Sequence, residues 1–151
     1  MTSSIRTIGP RFVVAATVLL ILAVGPAGAQ DEGQISVSDY GVGTEVVDRE
    51  LKGKSDRFEE GTQVVFWTRV VGGQSGDRIR HVWFRDTEEV VSIGLTLGGP
   101  HWRVYTRKTM HPGSGGQWAV EARDAEDRVL ARAEFTCEPA GSQGEETGQS
   151  P

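Results

Sequence analysis

The sequence has a single cysteine among its 151 residues. One thiol excludes a scaffold held by intrachain disulfides, and it excludes zinc and iron–sulfur sites built from several cysteines. Lysine and arginine number 16 against 21 acidic residues, which gives a net charge of −5. This excess of acid argues against binding to nucleic acid, whose phosphates attract basic proteins. A small acidic domain with no bound cofactor is therefore expected.

Long apolar runs are absent except near the amino terminus, from Phe12 to Val24. Arg6 and Arg11 precede this run and a small-residue triplet ending at Ala29 follows it, a pattern typical of a secretory signal peptide. As a helix the run spans about 20 Å, whereas a membrane span needs roughly 30 Å. Residues 1–29 are therefore predicted to be a cleaved helical signal peptide that touches the membrane transiently; retention as an anchor is the alternative. The mature chain is expected to be secreted or periplasmic.

Large apolar side chains are also missing from the carboxyl terminus, residues 138–151, which is rich in glycine, proline and glutamate. Such a segment cannot bury enough surface to offset the entropy of ordering. It is predicted to be a disordered acidic tail. The folded domain is then residues 30–137.

The middle of the chain lacks helical periodicity and contains runs of β-branched and aromatic residues separated by glycine and aspartate. Such runs indicate strands. They read VVFWTRVV, RIRHVWFR, VVSIGLTL, HWRVYTRK, QWAVEARD and RVLARAEFTC. With one or two further strands in residues 34–47, the count is seven or eight. The sequence therefore predicts an all-β, immunoglobulin-like antiparallel β-sandwich, with a small barrel as the second choice.

Alternation along the strands predicts which side chains face the core. The predicted core positions are Val91, Ile93, Leu95, Leu97, Trp118, Val120, Ala122, Ala131, Ala133, Phe135 and Cys137. Two strands remain ambiguous. In the first, Ile79, His81 and Trp83 compete with Val82 and Phe84; in the second, Trp102, Val104 and Thr106 lie opposite Arg103, Tyr105 and Arg107. Function is expected to involve these two strands.

Three separated aromatic motifs resemble the bacterial family known as domain of unknown function 2914. The motifs fall on His81 and Trp83, then on Trp102, Arg103 and Lys108, and finally on Gly116 and Trp118. The resemblance extends over roughly residues 46–136. It implies an extracytoplasmic β domain, often attached to a membrane or envelope protein, and assigns no activity. Asp127 stands where the family's last hairpin usually carries glycine, and aspartate tolerates the left-handed backbone.

Candidate ligand-binding residues come from the two ambiguous strands: His81, Trp83, Arg85, Trp102, Arg103, Tyr105, Arg107 and Lys108. Exposed indole rings can hold a sugar or a peptide, whereas buried ones stabilise the core. Arginines alternating with a tyrosine suit a carboxylate or a phosphate, unless they form a solvated outer face. For the four tryptophans, burial of most is the favoured reading.

Two further residues have a structural and a functional interpretation. His81 is either a hydrogen-bonded core residue or a group that titrates near pH 6.5 in a ligand groove, and the structural interpretation is favoured. Cys137 is either buried or available for an intermolecular disulfide, with burial favoured. No histidine pair has metal-ligand spacing, and no nucleophile motif is found, so neither catalytic nor metal-binding residues are predicted.

The sequence thus predicts an exported, non-enzymatic protein-interaction or accessory module at the cell envelope. A carbohydrate- or peptidoglycan-binding module that uses tryptophan and arginine is the alternative, and an envelope hydrolase is a third. The expected partner is an envelope protein or a glycan. Exposure of Trp83 and Trp102 separates the first two, because a pair of exposed coplanar rings favours a sugar.

Overall fold

The computed structural model describes residues 33–141, so the predicted signal peptide and most of the predicted tail lie outside the described residues. Within this range the chain forms no helix, and the strands make it all-β, as predicted. No membrane-crossing helix is found in the described part. The strands are β1 (Ser36–Gly43), β2 (Glu45–Val47), β3 (Glu50–Lys52), β4 (Arg57–Glu59), β5 (Gln63–Val71), β6 (Arg78–Arg85), β7 (Glu88–Thr96), β8 (His101–Thr109), β9 (Gly116–Arg123) and β10 (Val129–Glu138).

The strands form a three-stranded sheet in the order β1-β5-β8, a five-stranded sheet in the order β4-β10-β9-β6-β7, and the β2–β3 hairpin. All pairs are antiparallel except β10 with β4, which is parallel. Ten strands in residues 33–141 exceed the predicted seven or eight. The difference comes from β3 and β4, and also from β2 where only one strand is counted in residues 34–47, because runs of three residues are too short to show alternation.

The two larger sheets pack face to face around one apolar core, which makes the domain sandwich-like. Phe135 of β10 lies at its centre: its ring stacks on Trp118 and meets Phe58 and Trp83 edge-on. Edge-on and stacked ring pairs stabilise a core beyond the area they bury. The remaining buried members come from β1, β5, β9, β10 and the residue after β8: Val42, Val64, Phe66, Met110, Val120, Ala122, Ala131 and Cys137.

Strand β5 is buried on both of its faces. Val64 and Phe66 point into the sandwich, whereas Val65 and Trp67 pack with Leu51 of the β2–β3 hairpin on the other side. This accounts for the continuous apolar run VVFW in place of an alternating pattern. The hairpin thus acts as a partial third layer over the outer face of the three-stranded sheet.

Most of the predicted core positions are buried. Those that are fully buried are Leu97, Trp118, Val120, Ala122, Ala131, Phe135 and Cys137. Val91, Ile93 and Leu95 of β7 are partly buried against the core, as is Ala133. Strand β7 is the last strand of its sheet, so its inward side chains have neighbours on one side only.

In both ambiguous strands the structure shows which alternating set of residues faces the interior. Ile79, His81 and Trp83 face the interior, while Val104 and Thr106 are the inward residues of β8. Asp127 adopts a φ of 69°. This is the left-handed backbone region, which was expected because the family usually carries glycine at this position.

Candidate functional site

The eight predicted site residues do not form one surface. His81 and Trp83 are both 0% exposed, so neither can contact a ligand at the surface. Their assignment to a ligand-binding face is therefore corrected. The physical reason is that β6 lies inside the five-stranded sheet, between β9 and β7, with this face turned toward the other sheet.

His81 and Trp83 instead belong to a buried chain of hydrogen bonds that joins the two sheets. Trp83 Nε1 donates to Thr106 Oγ1 at 3.1 Å, and the same oxygen lies 3.1 Å from His81 Nδ1. His81 Nε2 lies 3.2 Å from Thr68 Oγ1, which is 3.5 Å from the Val104 carbonyl oxygen. One direction uses every proton: indole to Thr106, Thr106 to Nδ1, Nε2–H to Thr68, and Thr68 to the carbonyl. This direction places the imidazole proton on Nε2.

Burial lowers the pKa of His81 from 6.5 to about 3. The charged form would lose its hydration in the core with no carboxylate to compensate, since its two ring nitrogens face threonine hydroxyls. The imidazole is therefore neutral at physiological pH. Its role in this structure is that of a satisfied core residue, which is the interpretation favoured from the sequence.

Arg85 and Lys108 lie near Trp118, away from the remaining candidates. Arg85 donates to the Gly115 carbonyl oxygen at 2.7 Å, and the Lys108 ammonium lies 5.4 Å from the centre of the Trp118 ring. Lys108 and Trp102 are six positions apart on β8, which corresponds to about 20 Å. The structure therefore does not bring these two cations to the same place as Trp102.

Arg103, Tyr105 and Arg107 share the outer face of β8, and Trp102, which lies opposite Val70 on the other alternation of the strand, is exposed beside the same cavity as Arg103 and Tyr105. Trp102 and Tyr105 are 43% and 41% exposed. The Arg107 guanidinium lies 4.8 Å from the centre of the Tyr105 ring, within the range of a cation–π contact. Arg103 lies between the two aromatic residues and is also exposed.

A cavity of about 250 Å³ opens beside this face. Its lining comes from β8, from β5 and from the hairpin: Val46, Arg49, Trp67, His101, Trp102, Arg103 and Tyr105. The indole nitrogen of Trp67 donates to the Arg49 carbonyl oxygen at 3.0 Å, which fixes the hairpin turn over the sheet. The residues that line the cavity, together with Arg69 and Arg107, are called the β8 face below.

Sequence reasoning missed the hairpin's share of this site. Its turn places Asp48 and Arg49 at φ values of 51° and 68°, as a two-residue turn of the type that suits hairpins requires. Asp at the first position is a weak signal of such a turn, and Arg at the second gives none. The sequence does not distinguish Trp67 from the other three tryptophans, because nothing in it indicates that a hairpin lies over this residue.

The β8 face carries more arginine side chains than carboxylates that could neutralise them. Arg69 of β5 and Arg103 of β8 are directly opposite each other in the register. One oxygen, Glu50 Oε1, serves both, at 3.3 Å from Arg69 and 3.6 Å from Arg103. Asp39 is the other register neighbour of Arg69 but makes no ion pair with it within 4 Å in the described residues. Arg69 Nε is buried without a hydrogen-bond partner.

The outer face of the five-stranded sheet is different, because its charges are matched. Glu121, 5% exposed, is paired with Arg123 at 2.6 Å and with Arg132. Asp127 holds Arg80 at 2.6 Å. Hydrogen bonding to Glu121 raises the pKa of both Arg123 and Arg132. This face therefore resembles a self-neutralised surface rather than a site awaiting an anion.

Metal-binding and nucleophilic groups show no comparable clustering within residues 33–141. No group of three or more His, Cys, Asp or Glu side chains is placed to hold a metal ion there. Cys137 is a free thiol that is 2% exposed, and burial raises its pKa. The predicted burial of this cysteine is confirmed.

Residues 76–137 match the sequence family described as a protein of unknown function (DUF2914). This segment belongs to that family. The family indicated by the aromatic motifs is thereby confirmed, over less than half of the chain and beginning later than the expected residue 46. Two of the three motif tryptophans in this segment, Trp83 and Trp118, are core residues, whereas Trp102 is exposed.

Several solved structures are distantly similar to this chain. A β-glucosidase from Listeria innocua in complex with glucose is 11% identical over 69% of this chain, with a TM-score of 0.42; the chain spans 16% of that enzyme's length. A Niemann-Pick type C2 protein from Japanese carpenter ant is 7% identical over 70% of this chain and 92% of its own, with a TM-score of 0.41. No curated protein matches the sequence.

Proposed function

We propose that this protein is an exported, non-enzymatic interaction module that holds a partner protein at the cell envelope through the β8 face. The observation that carries the proposal is the grouping of Trp102, Arg103 and Tyr105 around a cavity of about 250 Å³, with the Arg107 guanidinium against the Tyr105 ring. Tryptophan, tyrosine and arginine are the residues that most often dominate binding energy at protein interfaces. On the outer face of the five-stranded sheet the charged side chains are paired with one another. The β8 face is therefore distinctive within the molecule.

An immunoglobulin-like topology is the proposed architecture of this module. The strands β1, β5 and β8 face β6, β9 and β10, which corresponds to strands A, B and E facing C, F and G of such domains. Trp83 then lies on the strand where immunoglobulin domains carry their buried tryptophan. In constant-type domains strand D joins the sheet of strands A, B and E. Here strand β7 instead pairs with β6 in the other sheet.

Export rests on the amino-terminal pattern of residues 1–29. Amino-terminal sequencing of the protein recovered from an extracytoplasmic fraction tests it. Cleavage after Ala29 predicts a chain that starts at Gln30. Recovery of the uncleaved chain in the membrane fraction would favour the anchor instead.

The proposed absence of enzymatic activity is supported by the surroundings of His81, the one histidine among the candidate site residues. His81 lies in the core between the hydroxyl groups of Thr68 and Thr106, and the cavity on the β8 face is not lined by it. A general base needs access to a substrate proton. Activity of the purified protein on envelope substrates would overturn this part of the proposal.

A carbohydrate- or peptidoglycan-binding module remains the alternative, favoured by the exposed ring of Trp102 beside the cavity. Burial of Trp83 leaves Trp102 without the second exposed ring that would have favoured a sugar. Co-sedimentation with purified peptidoglycan tests this alternative directly. Binding that is lost in Trp102→Ala but retained in Arg103→Gln would favour it over a protein partner.

The experiment for the main proposal is cross-linked capture from envelope extract with paired variants. Tyr105→Ala and Arg103→Gln alter the β8 face, whereas Arg57→Gln removes one exposed charge near the far end of the five-stranded sheet. A partner captured by the wild type and by Arg57→Gln, and lost in both β8-face variants, supports the proposal. If folded β8-face variants capture the same partner, the proposed surface is wrong.

A further inference from the structure

The paired arginines on the β8 face are under-neutralised. Like charges directly opposite each other on neighbouring strands are destabilising, so Arg69 and Arg103 need a carboxylate between them. Glu50 supplies one oxygen to both, and neither guanidinium receives the two parallel hydrogen bonds that an arginine–carboxylate pair can form. Arg49 and Arg107 have no carboxylate within 4 Å among residues 33–141.

From this arrangement we infer, on the basis of the proposed function, that the β8 face binds the carboxylate of an extended acidic peptide segment of the partner. Glu50 occupies the Arg69–Arg103 pair in the free protein, and the incoming carboxylate displaces it. The hairpin is thus a built-in competitor that weakens binding of anions in general. A ligand must offer more than one charge, through its chain or its neighbouring side chains, to replace Glu50.

The shape of the cavity favours a side chain rather than a whole small molecule. Its volume of about 250 Å³ is below the range of roughly 300–1,000 Å³ typical of small-molecule sites. Trp67, Trp102 and Tyr105 offer apolar walls for the methylene groups of an acidic side chain, with Arg103 at the same opening. A glutamate side chain combines these two features.

The adjacent edge of β8 favours a peptide as the carrier of that carboxylate. Strand β8 is the last of its sheet in the order β1-β5-β8, so one edge has no strand partner in the described part of the chain. An extended peptide can add to such an edge through main-chain hydrogen bonds and place alternate side chains on one face. Those side chains would lie beside Arg103 and Arg107, which are also on alternate positions.

The test is a titration of the purified protein with acetylated tetraglutamate amide, followed by tryptophan fluorescence and calorimetry, with tetraglutamine as the neutral control. Binding of the first peptide alone, weakening as salt is added, supports the inference. Inorganic phosphate is a second arm. If phosphate binds while tetraglutamate does not, the carboxylate peptide is the wrong ligand class.

The competitor role of Glu50 is tested by a matched pair of variants on the same hairpin. Glu50→Gln and Glu45→Gln each remove one negative charge, but Glu45 forms no ion pair within the described residues. Glu50→Gln should bind tetraglutamate about fivefold more tightly than wild type, and Glu45→Gln should differ by less than about twofold. Equal effects in the two variants would overturn displacement of Glu50.

The arginine role is tested by Arg103→Gln, which should bind tetraglutamate at least about tenfold more weakly, and by Arg103→Lys, which keeps the charge without the forked geometry. Arg57→Gln is the control for loss of one positive charge. Thermal unfolding confirms that each variant is folded. If tetraglutamate binds no variant while the captured partner still depends on Tyr105, the acidic-peptide chemistry is wrong and the proposed function stands.

Discussion

The two halves of the predicted site differ in how their polar groups are satisfied. In the interior, Trp83, His81, Thr106 and Thr68 form one chain in which every proton has an acceptor. On the β8 face, two opposed arginines share one carboxylate oxygen and Arg69 Nε has no partner. A fully satisfied buried network stabilises and specifies the fold, whereas the shared carboxylate on the β8 face leaves the two arginines incompletely paired.

The same comparison separates the two kinds of tryptophan in this domain. Trp83 belongs to the buried chain and to the ring cluster around Phe135, while Trp102 stands beside an open cavity. Motif membership alone does not distinguish them, since both are in segments that carry the family resemblance.

Trp83→Ala should lower the free energy of unfolding by about 3–5 kcal/mol, because it leaves a large cavity and removes an indole hydrogen bond in the core. Trp102→Ala should lower it by less than about 1 kcal/mol, since that ring is 43% exposed. Urea denaturation measures both. Trp83→Phe, which keeps an aromatic ring, serves if the alanine variant does not fold. Equal losses in Trp83 and Trp102 variants would contradict the division.

Acid should destabilise the domain through His81. In the unfolded chain this histidine takes up a proton as pH falls below about 6.5, whereas in the folded protein it does so near pH 3. Stability from this residue is therefore complete above pH 6.5 and is lost progressively between pH 6.5 and 3. The slope is about 1.4 kcal/mol per pH unit, or on the order of 4–5 kcal/mol in total.

Urea titrations at several pH values between 4.5 and 6.5 measure this slope. His81→Gln should be less stable than wild type but should lack the histidine contribution to the slope. His101→Gln, which changes an exposed histidine of β8, is the matched variant for comparison. A slope that persists in His81→Gln would show that other groups produce it.

Thr106→Val should cost about 1–3 kcal/mol, because valine keeps the shape of the side chain but leaves the indole N–H of Trp83 without an acceptor. Thr96→Val, at an exposed position of β7, is the matched control and should change stability by less than about 0.5 kcal/mol. Thermal or urea unfolding compares the two. A cost as small in Thr106→Val as in the control would mean that the buried chain contributes little.

Arg103→Gln should change stability least, by within about 0.5 kcal/mol, because it relieves repulsion with Arg69 while losing a long contact to Glu50. Its effect should appear in binding to the partner instead. Unfolding and capture measured on the same preparation separate the two outcomes. A marked loss of stability with unchanged capture would identify Arg103 as a structural residue.

The sequence predicted the fold class and most of the core from local pattern. Strict alternation in β9 and β10 identified Trp118, Val120 and Phe135 as buried, and the glycine-rich breaks located the strands. The β8 alternation also indicated that Arg103, Tyr105 and Arg107 share a face. These successes depend on period-two geometry, which is a property of each strand by itself.

The site was only half predictable, because the missing half depends on contacts between distant segments. Nothing near Glu50 in the chain indicates that its carboxylate meets Arg69 and Arg103, and nothing near His81 indicates that its partners are threonines of β5 and β8. Patterns also could not decide β6, where apolar residues occupy both faces. Burial there depends on what covers each face of the sheet.

Backbone preference and alternation are local properties, so they were enough to predict that this chain forms strands and where the strands break. Which of the two aromatic and basic strands, β6 or β8, carries the exposed candidates depends on the tertiary structure. Packing of the sheets placed His81 and Trp83 in the core. The hairpin contributes part of the lining of the cavity on the β8 face. Polar side chains have no fixed role until their partners are assembled, because the free energy of burying them depends on those partners.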